Sequence, residues 1–366
     1  MNRRDFTAGT IGLLALSGTS IWGWRASTGS MGEYTRYAAA LRVELAQNPP
    51  LRELIRYATL APNSHNTQPW RFAIDGSAIS IHPDLSRVTP AVDPDRHHLF
   101  VSLGCAVETL RIAAQATGRP GDVSIEESGA ATYVFSNGAP HADALFAAIP
   151  RRQSTRAEFD GRPVPAADLQ TLARAANMPG VDLALITDRP RIGQIRDLVI
   201  AGNDAQMADP AFVRELKHWL RFNPKSAMAA GDGLFAATSD NPVLPDAIGR
   251  RAFDHFFTAN AENLKYRRHL DSSAGIAVFI GESEDRAHWV AVGRACQRFA
   301  LAATSLGLRC AFVNQPIEVA RLRPDLAAIV GAPGKRPDLV MRFGYGPELA
   351  FSPRRPVEAV LSSTRQ

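Results

Sequence analysis

Two stretches of the 366-residue chain, Leu99–Thr117 and Trp289–Leu306, are apolar at helical spacing, threaded with Ala and Gly, and stop at Gly118 and Gly307. The pattern predicts two long helices with C-terminal glycine caps. Each ends a similar passage. The first holds helices at Tyr34–Gln47 and Leu51–Leu60, a polar loop and a strand at Arg71–His82. The second holds a helix at Ala166–Asn177, a strand at Val181–Thr187, a long insertion and a strand at Gly275–Ile280. Ala142–Phe159, containing Pro150, is the expected joint. A repeat of this length reads as one chain supplying both halves of a two-fold interface. It also reads as two ordinary α/β passages, alike because both need helices over a sheet. Pattern alone does not separate the two.

The polar loop is Ala61-Pro62-Asn63-Ser64-His65-Asn66-Thr67-Gln68-Pro69-Trp70. Polar turn residues between periodic segments are ordinary loop chemistry. This density of amides and hydroxyls, closed by Pro-Trp at the mouth of a strand, is less so. One reading is a rigid loop that hydrogen-bonds the edge of a flat heteroaromatic ligand. The other is a helix-to-strand turn whose amides satisfy only their own backbone.

Two arginine clusters stand far apart in the chain. Arg151-Arg152-Gln153-Ser154-Thr155-Arg156 precedes Phe159. Ser352-Pro353-Arg354-Arg355-Pro356-Val357 follows a strand at Leu339–Phe343 and the turn Gly344-Tyr345-Gly346-Pro347. Guanidinium forks pair bidentately with phosphate oxygens, and Ser adds a neutral donor. A basic run is also commonly a solvated linker. The phosphate reading makes a geometric demand: both clusters must meet at one dianion.

Composition narrows the function classes. At 45% apolar the chain can bury a large core, in one domain or two lobes. The formal charge of +5 is modest and no dense basic run occurs, so nucleic acid is not an expected partner. Cys105, Cys296 and Cys310 sit singly in apolar contexts, forming neither a disulfide framework nor a CxxC pair. His97 and His98 are neighbours, but no metal-ligand spacing is present. There is no Gly-x-Ser-x-Gly elbow for a hydrolase, and no Gly-x-Gly-x-x-Gly follows a strand.

Residues 1–30 read as an address, a signal or anchor. The paired Arg3-Arg4 is followed by Asp5 and then by Phe6–Trp24, which carries no charge. This resembles a Tat signal, read by the Tat export machinery for proteins exported already folded, and implies a periplasmic location. The run is just long enough to span a bilayer and no clear Ala-x-Ala site follows, so an uncleaved membrane anchor is compatible with it. The alternative is an N-terminal helix of the mature protein.

Together these pieces resemble the FMN-dependent nitroreductase family. The loop is similar to the family's Ser-Ser-x-Asn-x-Gln-Pro-Trp segment at Pro62, Ser64, Asn66, Gln68, Pro69 and Trp70, and departs at Asn63, where the family more often has Ser. Arg151–Arg156 resembles the Arg/Lys-Arg-x-Ser-x-Arg/Lys opening that grips the FMN phosphate, and Arg354 and Arg355 the C-terminal basic residues that close on it. The resemblance covers about residues 35–360 and is nearest the fused, Acg-type branch. It implies an α+β fold of two fused pseudo-symmetric lobes, each with an antiparallel-rich mixed sheet covered by helices, a single-chain mimic of the nitroreductase dimer. Lobe one would span 35–150 and lobe two 151–361, with an insertion or lid at 205–270. It further implies that Pro62, Asn63, Ser64, Asn66, Gln68, Arg151, Arg152, Gln153, Ser154, Arg156, Arg354 and Arg355 hold FMN. By spacing from Gly307, Phe312, Val313 and Asn314 would approach the flavin's reactive edge. The family's Pro-x-Glu-Gly pattern is absent there, and Pro316-Ile317-Glu318 lies slightly further on.

Each lobe keeps one part of a site. Lobe one has the polar loop without a basic opening. Lobe two has the opening, while its matching loop is Ala176-Asn177-Met178-Pro179-Gly180. One complete FMN site per chain follows. The insertion carries Trp219, Phe253, Phe256, Phe257 and Tyr266, an aromatic set that reads as core or as a lid. The leading expectation is an FMN oxidoreductase passing two electrons to a nitroaromatic, quinone or similar small acceptor, with no side chain as dedicated catalyst. The rival is a non-catalytic protein that sequesters FMN under a closed lid. A flavin-free scaffold would need the arginine clusters to point apart.

Overall fold

A computed structural model describes residues 18–362, with side chains from residue 23, so Arg3-Arg4 lies outside the described residues. Strands run in the order β1 (Trp70–Asp75), β2 (Ala78–Pro83), β3 (Gly121–Ile125), β4 (Ala131–Phe135), β5 (Val181–Ile186), β6 (Leu220–Arg221), β7 (Leu234–Phe235), β8 (Gly275–Gly281), β9 (Arg309–Phe312) and β10 (Pro337–Gly344). They form two four-stranded sheets, β1-β2-β4-β3 and β5-β8-β10-β9, and a small pair β6-β7. Every pairing in both larger sheets is antiparallel. This is the helix-covered α+β arrangement expected from sequence, but the strands of both larger sheets pair antiparallel throughout where mixed sheets were expected.

Between the sheets lie the helices His97–Ala116 and Arg286–Ser305, each 20 residues long. They touch backbone to backbone. A Cβ on Gly104 would sit 2.0 Å from the Val290 carbonyl oxygen, and one on Gly293 would sit 2.0 Å from that of Val101. Only glycine permits that approach. Both helices end as expected, Gly118 and Gly307 taking φ +93° and +76°.

Alternation along the strands decides what each sheet face buries. On β8, Ala277 and Phe279 join the large core around the central helices, while Ile276, Val278 and Ile280 turn to a second core under the helix Arg189–Met207. On β10, Leu339, Met341 and Phe343 face the first core and Val340 the second. The second sheet is therefore covered on both sides. A third cluster joins Tyr34 and Ala38 of the helix Met31–Ala40 to Ala227 and Phe235 of the insertion.

Each sheet has one edge extended by a distant segment. Beside β1, Leu361 bridges Phe72 in parallel, and the Ser362 amide donates to the Phe72 carbonyl at 2.7 Å. Beside β9, Ser154 bridges Cys310, and the Thr155 amide donates to the Cys310 carbonyl at 2.8 Å. Arg342 on β10 secures that crossing. Its buried guanidinium donates to the carbonyls of His269, Thr155 and Ala157 and lies 4.0 Å over the Phe159 ring.

Several boundaries differ from the sequence reading. The expected strand Arg71–His82 is a hairpin, reversed at Gly76 with φ +53°. The β3–β4 hairpin was not anticipated. The expected helix at Tyr34–Gln47 begins at Met31 under a Ser30 cap and ends at Ala40. The insertion's aromatics Phe253, Phe256, Phe257 and Tyr266 fall on and between two helices, Asp246–Phe256 and Ala259–Asp271, because the Thr258 hydroxyl caps the second by accepting from the Ala261 amide.

Replacing Gly104 or Gly293 by Ala inserts a methyl group into this backbone contact. We expect either variant to lose at least about 1–3 kcal/mol, read as a lower urea midpoint at unchanged m-value. Gly307→Ala, where a Cβ meets nothing within 4 Å, should show only the smaller strain of a positive φ.

Candidate functional site

Two adjoining cavities lie between the polar loop, the joint, the insertion and the C-terminal tail. The larger, about 190 Å³, is walled by Pro62, Asn63, Ser64 and His65, by one face of the His97–Ala116 helix, and by Phe312, Asn314, Gln315 and Glu318. The smaller, about 30 Å³, is walled by Arg42, Asn66, Arg152, Gln153, Ser154 and Arg354. Pro62, Asn63, Arg156 and Leu234 border both.

The two arginine clusters meet at the smaller cavity. Arg152 and Arg354 are 7% and 3% exposed. Arg42, Arg152, Arg156 and Arg354 have no carboxylate partner among the described residues. Burial pulls all four below the usual arginine value, Arg42 to about 10, and Arg42 and Arg152 further depress Arg354. Buried charges are normally paired. Here several positive charges gather with no negative one.

Their donors are unequally spent. Arg354 gives all its N–H groups to the carbonyls of Thr59, Leu60, Ala61, Ser352 and Pro353 and to the Asn66 Oδ1. It therefore contributes charge rather than a donor. Arg152 gives one bond to the Leu60 carbonyl at 2.8 Å and Arg42 one to Ala38 at 2.8 Å. The remaining N–H groups of these two, and those of Arg156, are left for an anion.

The loop's amides act inward. Asn66 Nδ2 donates to the carbonyls of Gly233 and Pro353, both at 3.0 Å. Gln68 Nε2 donates to the Gly231 carbonyl at 2.8 Å, and its Oε1 accepts from the Arg355 amide at 2.9 Å. They clasp the insertion and the tail to the loop. Three non-glycine residues, His65, Asn66 and Gln68, hold φ near +50°. Such strain persists only where surrounding contacts enforce it.

Four of the residues expected to hold FMN are not on a cavity wall. Gln68 is fully buried with its amide consumed as above. Arg151 faces solvent from the turn Ile149–Arg151 and bonds only the Ala147 carbonyl. Val313 follows Phe312 and so turns away into the core behind the second sheet. Arg355 reaches the Ala359 carbonyl and approaches Asp84 at 4.0 Å. The other expected residues, Pro62, Asn63, Ser64, Asn66, Arg152, Gln153, Ser154, Arg156, Phe312, Asn314 and Arg354, line one cavity or both.

Sequence reasoning missed Arg42, which no motif marks, and a polar cluster on the larger cavity. There His98 Nε2 lies 3.4 Å from Glu318 Oε1, and Gln206 Nε2 donates to Glu318 Oε2 at 2.6 Å. Burial lowers His98, but the hydrogen bond to Glu318 and the charges of Asp93, Glu318 and Asp95 raise it above the usual value. Burial likewise raises Glu318, yet His98, Gln206 and His65 bring it below the carboxylate norm. His65, beside them, is lowered to about 4 by burial and stays neutral at pH 7. The insertion supplies the outer wall through Phe212, Leu216, Leu234, Phe257 and Tyr266.

Comparison with known proteins places this geometry. The nitroreductase family model matches residues 149–345, and the chain belongs to the nitroreductase family. It is 28% identical over 335 residues to "Putative NAD(P)H nitroreductase Rv3131" of Mycobacterium tuberculosis, covering 88% of this chain and 94% of that one. It is 23% identical over 338 residues to "Putative NAD(P)H nitroreductase acg" of the same organism, covering 85% and 94%. Among solved structures it is similar to the FMN-dependent nitroreductase NfnB of Mycobacterium smegmatis in complex with NADPH, at 12% identity, TM-score 0.40, and 61% and 98% coverage.

Two outcomes follow. Gln68→Ala removes two buried bonds and should cost about 2–3 kcal/mol, with faster proteolysis inside 205–270 as the local readout. The depressed histidines His65 and His269 bind protons more readily unfolded than folded. Stability should therefore fall as pH drops from about 6.5 toward 4, by up to about 1.4 kcal/mol per pH unit for each group, measured as urea midpoints across pH. His269→Gln should flatten that slope.

Proposed function

We propose that the chain binds one FMN and is an oxidoreductase that passes two electrons to a nitroaromatic, quinone or similar acceptor. The observation that carries this reading is the set of buried and half-buried guanidiniums, Arg152 and Arg354 with Arg42 and Arg156, with no carboxylate among them. The residues present fit the cofactor. Arg42, Arg152 and Arg156 would hold its phosphate with Ser154 and Gln153, under the charge of Arg354. Pro62, Asn63, Ser64, Phe312 and Asn314 would border its ring in the larger cavity. FMN, when bound, supplies the redox chemistry at its ring.

The domain reading is part of the proposal. A duplicated, fused unit is supported by the two antiparallel sheets, the matched central helices and the reciprocal edge pairing at Phe72 and Cys310. On that reading residues 35–150 and 151–361 are its lobes, the chain itself stands for the dimer, and 205–270 forms the lid. We also propose export through the Tat machinery on the sequence of residues 1–30, with a periplasmic location, cleaved or anchored.

One observation favours the second reading, sequestration of FMN. The insertion walls the larger cavity with six side chains and is clasped to the loop by Asn66 and Gln68. A lid held this firmly would restrict bulky acceptors.

The visible spectrum of the purified protein, before and after anaerobic NADPH and then dithionite, tests both. Near one FMN per chain bleached by NADPH supports the reductase, and bleaching by dithionite alone supports sequestration. A colourless protein that cannot be reconstituted sinks both. Arg152→Met should weaken FMN binding roughly 10- to 100-fold, the worth of a charged hydrogen bond. It should also raise the melting temperature of the FMN-free protein, because an unpaired buried charge is gone.

A further inference from the structure

We propose that His98, held by Glu318 and Gln206, is a catalytic residue of this site, the proton donor to a quinone-type acceptor in the larger cavity. The inference rests on the FMN reading above. Its starting point is an ion pair where none is needed for packing. His98 and Glu318 are largely buried, at 6% and 14% side-chain exposure, yet both border the cavity. Burying such a pair costs more desolvation than packing returns. Gln206 occupies the second carboxylate oxygen, so Glu318 is fixed in orientation. The His98 backbone is fixed too, its amide donating to Asp93 Oδ1 at 3.0 Å. The histidine's Nδ1 has no partner among the described residues.

The charged and titratable groups around His98 come from several segments, Arg156 and Tyr266 among them on the wall of the same cavity. Glu318 lies on the turn Gln315–Glu318, Asp93 and Asp95 on the preceding loop, His97 alongside, and His65 on the polar loop. The three carboxylates favour imidazolium. His65 and His97 are held neutral by burial and oppose it weakly. An imidazole whose pKa is raised beside a carboxylate, on a wall that mixes polar side chains with Phe212, Leu216, Phe257 and Phe312, can supply the proton that hydride transfer alone does not.

The step balances. Conversion of a quinone to its hydroquinone takes up two electrons and two protons. FMN, when bound and reduced, would supply both electrons and one proton as a hydride equivalent. The second proton passes from His98 to the acceptor oxygen: the imidazole N–H bond breaks as the O–H bond forms. Neutral His98 remains beside the Glu318 carboxylate, and solvent returns the proton. General acid help of this kind is worth about 10²–10⁴-fold.

The test compares wild type, His98→Asn and Glu318→Gln, each loaded with FMN and reduced with dithionite, then mixed with benzoquinone or with ferricyanide. Ferricyanide accepts electrons without a proton. We expect His98→Asn to slow benzoquinone reduction about 10²-fold while leaving ferricyanide reduction within about twofold. The wild-type benzoquinone rate should fall as pH rises through the His98 pKa, and Glu318→Gln should move that fall to lower pH. Independently of any flavin, nitrogen NMR of the FMN-free protein should show His98 titrating above the usual histidine value and dropping in Glu318→Gln. Equal slowing with both acceptors, an unchanged benzoquinone rate in His98→Asn, or a His98 pKa unmoved by Glu318→Gln would overturn the assignment. Failure to take up FMN would overturn the parent reading and this one with it, and shows in the spectrum before any rate is measured.

Discussion

Arg354 is the pivot of the molecule. A guanidinium this deep must have every N–H satisfied, and backbone carbonyls from the end of the Leu51–Ala58 helix, from its own tail and the Asn66 amide provide that. None of those partners is anionic, so the charge itself stays uncompensated. The end of the Leu51–Ala58 helix, the polar loop and the tail are drawn together by this requirement. A positively charged cavity is its by-product. The same interaction that fixes three segments also creates the demand for an anion.

Much of the architecture was legible in the sequence. The central helices announced themselves through length, small residues and terminal glycines, since no other arrangement buries so many consecutive apolar positions. The meeting of the arginine clusters was legible as a demand of phosphate chemistry. The β3–β4 hairpin was overlooked although Thr132-Tyr133-Val134-Phe135 is a run of strand formers; only its partner β3, which mixes Asp and Ser with Val and Ile, carries no strong run. The split at Thr258 was hidden for a different reason: a capping hydroxyl looks like any polar residue in an aromatic stretch.

The site was legible by cluster and less so by residue. A motif marks which segment comes near a ligand, whereas the direction of each side chain is set by backbone alternation and by competing partners. Arg151 and Arg152 are neighbours with opposite fates for the first reason, and Phe312 and Val313 likewise. Gln68 illustrates the second, its amide taken by Gly231 and the Arg355 amide. Arg42 lies in the turn after the Met31–Ala40 helix and His98 in the first turn of the His97–Ala116 helix, and only the packing of distant segments brings them to the cavity.

The reciprocal edge pairing has a consequence for synthesis. Domains form as the chain emerges, N-terminal parts first, but the edge of the first sheet at Phe72 waits for Leu361, and the loop carbonyls around residue 60 wait for Arg354. The anion cavity is therefore completed 288 residues after Asn66 of its loop has emerged, when Arg354 arrives. A nascent chain stalled or clipped before Arg354 would carry the loop and the joint intact and still lack the charge that closes the cavity, so a finished site certifies a chain made at least that far.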